Sequence, residues 1–355
     1  MSHEFETGFF VKQPAWHGLG TVLEAPPSVD EALKLAGLDW TVRKEQLGRM
    51  VTSVPTVEGE VAVTSFVPAN RWAVIRESDG TELGTVGKSW QALQNDKAFA
   101  WFQPIVDAKL ATLEAAGSLK KGGRVWVLAK VVGGTTEIVP GDPVEDYILL
   151  AHGHDGLLAI RAGLTRTRVV CQNTLHAAIS GNTLIRILHS AKAEETLEAA
   201  REVILRANGA FQKSNEIFRR LAGVKNVSTK QLRAFVDATF PKPIMPDNGN
   251  GGGNGGAFGG PEETTPTKDE PKSLIYPKIE RLFEEGAGAQ IEGVKGTAWG
   301  AYNAMTNFLT HERGQSDENR LNNSFFGPEG ARALNAAVDT FLPDGEKGGD
   351  EPTES

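Results

Sequence analysis

The sequence predicts an α+β fold: a hairpin-rich antiparallel sheet with packed helices, followed by a helical C-terminal region. Three observations predict it. From Trp40 to Val170, short alternating segments recur between turn signals such as Asp79-Gly80, and connections that short join antiparallel neighbours. From Glu194 onward, apolar residues recur at helical spacing instead. Within that helical part, the run NGNGGGNGGAFGG marks a break where no packed element can form.

The elements follow in order. Residues 9–23 (FFVKQPAWHGLGTVL) read as irregular, punctuated by Pro14, Gly18 and Gly20. Ser28 caps a short helix over 29–36, with Asp30 and Glu31 in its first turn and Gly37 closing it. Trp40, Val42 and Lys44 then alternate, and residues 71–77 form a strand that Asp79-Gly80 turns into residues 82–86. A helix over 94–106 carries Ala98, Phe99, Phe102 and Val106 on one face. A hairpin of 111–119 and 124–132 follows, then strands at 146–151, 157–162 and 165–170, with Gly163 turning between the last two. Asn173 or Thr174 starts a helix to about Ile179. A long amphipathic helix spans 195–221, a second, capped by Ser228, spans 228–240, and three more cover 273–285, 298–312 and 328–341. The chain thus divides into an α+β core domain (1–186), a helical extension (187–240), a Gly/Pro-rich disordered linker (241–271), C-terminal helices (272–342) and an acidic disordered tail (343–355).

Composition narrows the function classes. With 355 residues and 40% hydrophobic content the chain has enough apolar material for a core. No apolar run approaches the roughly 20 residues that cross a bilayer, so no membrane partner is expected. The N-terminus lacks the basic and apolar regions of a signal peptide, and the single Cys171 excludes an intramolecular disulfide. Both fit a cytoplasmic protein. A net charge of −8 argues against wholesale coating of nucleic acid.

Charge is unevenly placed, however. Residues 156–192 hold four Arg and one Lys and no acid. Arg161, Arg166 and Arg168 come together if Gly163 turns one strand back on the other, and clustered guanidiniums need an anion among them. Phosphate is one such anion; internal pairing with Glu145, Asp146 or Asp155 is the structural alternative. Lys120, Lys121 and Arg124 form a basic hairpin tip, either a second electrostatic contact or a solvated turn. Trp16 and Trp90 can stack bases, although Trp16 in Trp16-His17-Gly18-Leu19-Gly20 also suits packing on a sheet edge.

Other constellations are weaker. His152 and His154 share a strand face beside Asp155 and suit metal chelation, but a site would need His17, His176 or Cys171 as well. An Asp-Gly turn explains Asp155-Gly156 by itself. Cys171 and His176 in CQNTLH sit at a strand end, where a nucleophile or a buried small hydrophobe are both readings. The Gly-rich linker holds no Gly-Lys-Ser, and the chain has no dinucleotide fingerprint, Gly-x-Ser-x-Gly elbow or His-Glu-x-x-His. No catalytic residue, cofactor or metal is assigned.

The segments AWHGLGT, GKSWQALQNDKAF, AHGHDGLLAIRAGLTRTRVVCQNTL and GTAWGAYNAMTNFLTH resemble the phage/plasmid-like proteins built on domain of unknown function 932. The resemblance runs from Trp16 to His311 apart from the linker. It implies a mobile-element origin and a cytoplasmic setting, and supplies no established activity. The hairpin, helix, hairpin order is also similar, at the level of fold alone, to single-strand-annealing recombinases. Together these lead to an expectation of single-stranded DNA binding in recombination or replication by a homo-oligomer, with the acidic tail docking a host replication or recombination protein. The alternatives are a metal- or Cys/His-dependent enzyme and a structural or host-interaction protein without catalysis.

Overall fold

The computed structural model describes residues 5–12, 20–53, 63–168, 170, 173–175, 184–206, 208–240, 275–313 and 329–342. Its larger sheet runs from edge to edge through β10 (Asn173–Leu175), β9 (Ile160–Arg168), β8 (Asp142–Gly153), β7 (Arg124–Val139), β6 (Ala111–Leu119), β1 (Phe5–Val11) and β2 (Thr21–Leu23). A further short strand, β11 (Leu184–Ile187), also pairs with β9. Every pairing is antiparallel except β1 with β2. A separate three-stranded sheet contains β3 (Val42–Ser53), β4 (Val63–Arg76) and β5 (Glu82–Val86).

Nine α-helices accompany the sheets among the described residues. The first four are α1 (Val29–Leu35), α2 (Asn95–Ala100), α3 (Gln103–Asp107) and α4 (Ala193–Arg206). Their apolar faces cover one side of the large sheet, where Phe99, Phe102, Leu113, Val127, Leu150 and Leu197 are buried together. The expected cap of α1 is present: Ser28 and Glu31 form a reciprocal capping box. The other helices are α5 (Asn208–Gly223), α6 (Thr229–Thr239), α7 (Tyr276–Glu285), α8 (Ala298–Asn307) and α9 (Glu329–Phe341), with a π-helical turn (Phe308–Glu312) extending α8. They enclose a second core around Phe218, Phe235, Trp299 and Tyr302. The β7–β8 hairpin reaches into that core with Ile138 and Val144, and the buried Asp142 accepts a 2.7 Å hydrogen bond from Trp299 Nε1. No helix among the described residues is long and apolar enough to cross a membrane.

The α+β class is therefore correct, with local revisions. Residues 9–11 and 21–23 are strands in the large sheet rather than irregular chain. The predicted turn at Gly163 does not exist: residues 160–168 form one continuous strand, because Gly163 stays in register opposite Leu149. Asn173–Leu175 opens no helix; it pairs with Arg166–Arg168 as β10. The helix over 94–106 is two short ones, α3 carrying Pro104 in its first turn. The stretch 195–221 is helical on both sides of residue 207, which lies outside the described residues, and the helix over 298–312 changes to π geometry at Phe308. The linker 241–271 and the tail 343–355 lie outside the described residues.

Candidate nucleic-acid interface

Strand parity decides how the arginines are placed. With no turn at Gly163, Arg161 and Arg166 lie on opposite faces of the large sheet. Arg166 faces the helices and is fully buried. Its Nε donates to Asp146 Oδ1 at 2.6 Å, its Nη2 to Asn215 Oδ1 at 2.6 Å and its Nη1 to Phe211 O at 3.3 Å. The rings of Phe211 and Phe218 lie 5.2 and 5.5 Å from the guanidinium carbon. Burial lowers the Arg166 pKa and raises that of Asp146, each charge opposing the shift of the other. Arg166 thus joins the two cores and is not available to an external phosphate, which corrects its expected role.

Arg124 is also committed internally. Its Nε donates to Asp155 Oδ2 at 2.8 Å, and Asp155 Oδ1 accepts from the backbone of Leu157 and Leu158. This pins the 153–158 loop against β5, where Gly84 and Gly156 leave room for close backbone contact. Arg161 is half-buried and directly opposite Arg186 on β11; burial and that neighbouring cation both lower its pKa. Arg168 ends β9, its backbone in register with Val144 and Asn173. Lys120 and Lys121 occupy left-handed positions in the β6–β7 turn. That turn packs at Gly122 against the Trp40 ring, leaving Lys121 exposed. Trp90 stacks on His189 at 5.0 Å. Trp16, His17, Cys171 and His176 lie outside the described residues.

The histidines form a buried cluster. The rings of His152 and His154 meet edge to face at 4.9 Å. Asn95 Nδ2 donates to the carbonyls of Leu38 and Trp40, so its Oδ1 is the acceptor and His154 Nε2–H donates to it at 3.0 Å. His154 Nδ1 is then the unprotonated nitrogen. Burial drives the His152 pKa well below its ordinary value and that of His154 down to about 3. Among the described residues, no three His, Cys, Asp or Glu side chains are grouped to hold a metal ion.

An open cleft of about 830 Å³ lies where β4 and β5 meet, lined by Asn70, Arg71, Gly87, Lys88 and Ser89. Among the described residues its lining holds two cations, an amide, a hydroxyl and no acid. Neither Arg71 nor Lys88 has an ion pair among the described residues. Lys44 braces the floor: its Nζ donates to the carbonyls of Lys88 and Trp90 at 2.9 and 2.7 Å and lies over the Trp72 ring at 5.8 Å. Sequence reasoning missed this cleft. The available signal was Gly87-Lys88-Ser89 directly after a strand, which lacks the upstream glycine of a phosphate-binding loop because position 82 is Glu.

No curated protein and no solved structure matches the chain. One family model does, and it begins at β5, so the Gly-Lys-Ser side of the cleft, the histidine cluster and the Arg166–Asp146 pair fall inside the match while Asn70 and Arg71 precede it. That match covers more than half the sequence: the chain belongs to the family described as Domain of unknown function (DUF932), matched over residues 82–326.

Proposed function

We propose that the protein binds nucleic acid, single-stranded DNA foremost, through the cleft at the base of the β3–β4 hairpin. The observation that carries this reading is the lining of Arg71, Lys88, Asn70 and Ser89, acid-free among the described residues and a donor set suited to phosphate oxygens. An open groove with two cations suits a polymer backbone passing through it better than a small anion enclosed on all sides. The mechanism is binding without covalent chemistry. The motif resemblance to phage/plasmid-like proteins supports a setting in recombination or replication of a mobile element.

A gel shift with a labelled single-stranded oligonucleotide tests the assignment. Arg71→Ala combined with Lys88→Ala is expected to weaken binding about tenfold or more, at about 1 kcal/mol or more per lost charge-assisted contact. Arg166→Met, in protein shown to be folded, is expected to leave affinity unchanged. Unaltered binding after the double change, or no binding by the native protein at low salt, overturns the proposal.

A further inference from the structure

The β3–β4 hairpin continues beyond its own sheet. β5 accompanies β4 only along Trp72–Ile75, so residues 47–53 and 63–70 extend as a two-stranded arm. Six residues of strand reach about 20 Å. Side chains on both faces of this arm are exposed, including Met50 at 65%, Val63 at 64% and Phe66 at 50%. Its described residues hold one charge, Arg49, and no Lys, Asp or Glu.

Edge strands are usually blunted by charge, proline or a covering group. Near the body, β3 is covered: the Gln94 side chain donates to Val42 O and accepts from Val42 N. Beyond Leu47, β4 is the one neighbouring strand of β3 among the described residues. The two arm edges are not equivalent. Pro68 deprives β4 of a backbone donor, and the register of β4 is broken between Pro68 and Trp72. Residues 47–53 of β3 contain no proline and remain in unbroken register from Gly48.

We infer that β3 is the pairing edge for a second copy of this chain, two arms joining antiparallel about a two-fold axis at Met50. Nucleic acid is a poor occupant of an edge with a single cation and apolar residues on both faces. A self-complementary strand closes such an edge by symmetry. Pairing centred on Met50 sets Arg49 opposite Val51 of the second copy and Gly48 opposite Thr52, so the two arginines never face each other. The result is a four-stranded arm sheet that unites the apolar side chains of both copies.

Light scattering coupled to size exclusion, without oligonucleotide, tests this separately from the cleft. The native chain is expected to be a dimer at tens of micromolar. Val51→Lys sets a cation against Arg49 of the other copy and is expected to weaken the dimer about tenfold, whereas Val51→Glu, equally charged, supplies a partner for Arg49 and is expected to preserve it. Circular dichroism confirms that each variant is folded. In a Cys171→Ser background, Met50→Cys is expected to give a disulfide-linked dimer with oxidised glutathione, since directly opposed antiparallel residues lie within disulfide range. A monomeric native chain overturns the inference, as does equal weakening by both Val51 changes or failure of the Met50→Cys chains to cross-link.

Discussion

Arg166 and Asp146 stand directly opposite one another on β9 and β8, with Nε 2.6 Å from Oδ1 and both side chains buried. A sheet interior rarely holds such a pair without further support. Here Asn215 and the Phe211 carbonyl, both from α5, accept from Arg166 Nη2 and Nη1. The pair therefore fixes α5 to the sheet at the junction of the two cores.

Breaking one side of that pair leaves the other charge buried without compensation. Arg166→Met is expected to cost about 3 to 5 kcal/mol in urea unfolding. Replacing both partners, Arg166→Met with Asp146→Leu, is expected to recover most of that loss, because the stranded carboxylate is gone. If the single change is neutral, the pair does not hold the cores together.

Stability is expected to fall in acid through the histidine cluster. His152, His154 and His189 all have pKa values lowered by burial, so between pH 6.5 and the folded values the unfolded chain binds more protons than the native one. Their contribution is intact above pH 6.5 and is lost as pH falls, by about 1.4 kcal/mol per pH unit for each proton taken up. The charged groups influencing the cluster include Asp155, which acts weakly in the opposite direction on His154 and His189. His152→Leu is expected to reduce the slope of stability against pH by about one proton, measured by denaturant unfolding at several pH values. An unchanged slope contradicts burial of a neutral His152.

Gly84 on β5 lies against the Asp155 backbone, and a Cβ there would sit 2.5 Å from the Asp155 carbonyl oxygen. Gly84→Ala is expected to destabilise by about 1 to 3 kcal/mol, since backbone on both sides must shift. Hydrogen exchange should localise the loosening to β5 and residues 153–158. Wild-type protection in both would contradict the close contact.

The alternation between Trp40 and Val170, the helical spacing after Glu194 and the Ser28 and Ser228 caps were legible in the sequence, because each depends on neighbours a few residues away. The arginine site was not. Its assembly rested on Gly163 being a turn, and glycine serves a continuous strand as readily when cross-strand pairing holds it. Once β9 is straight, parity separates Arg161 from Arg166, and Asp146 opposite Arg166 becomes its partner. The acids Glu145, Asp146 and Asp155 were visible as possible partners, and each does bind a cation: Lys130, Arg166 and Arg124. The cleft depends on β4 and β5 lying side by side, a relation that no single segment of sequence carries.

The most direct test of nucleic-acid binding at this cleft is the salt dependence of its affinity for a single-stranded oligonucleotide, measured by fluorescence anisotropy. Each phosphate neutralised on a single strand contributes about −0.7 to the slope of log K against log salt. The native protein is expected to show a clearly negative slope, and Arg71→Ala with Lys88→Ala to make it shallower by about 1.4. A native slope near zero, or the same slope in the double variant, contradicts phosphate contact by Arg71 and Lys88.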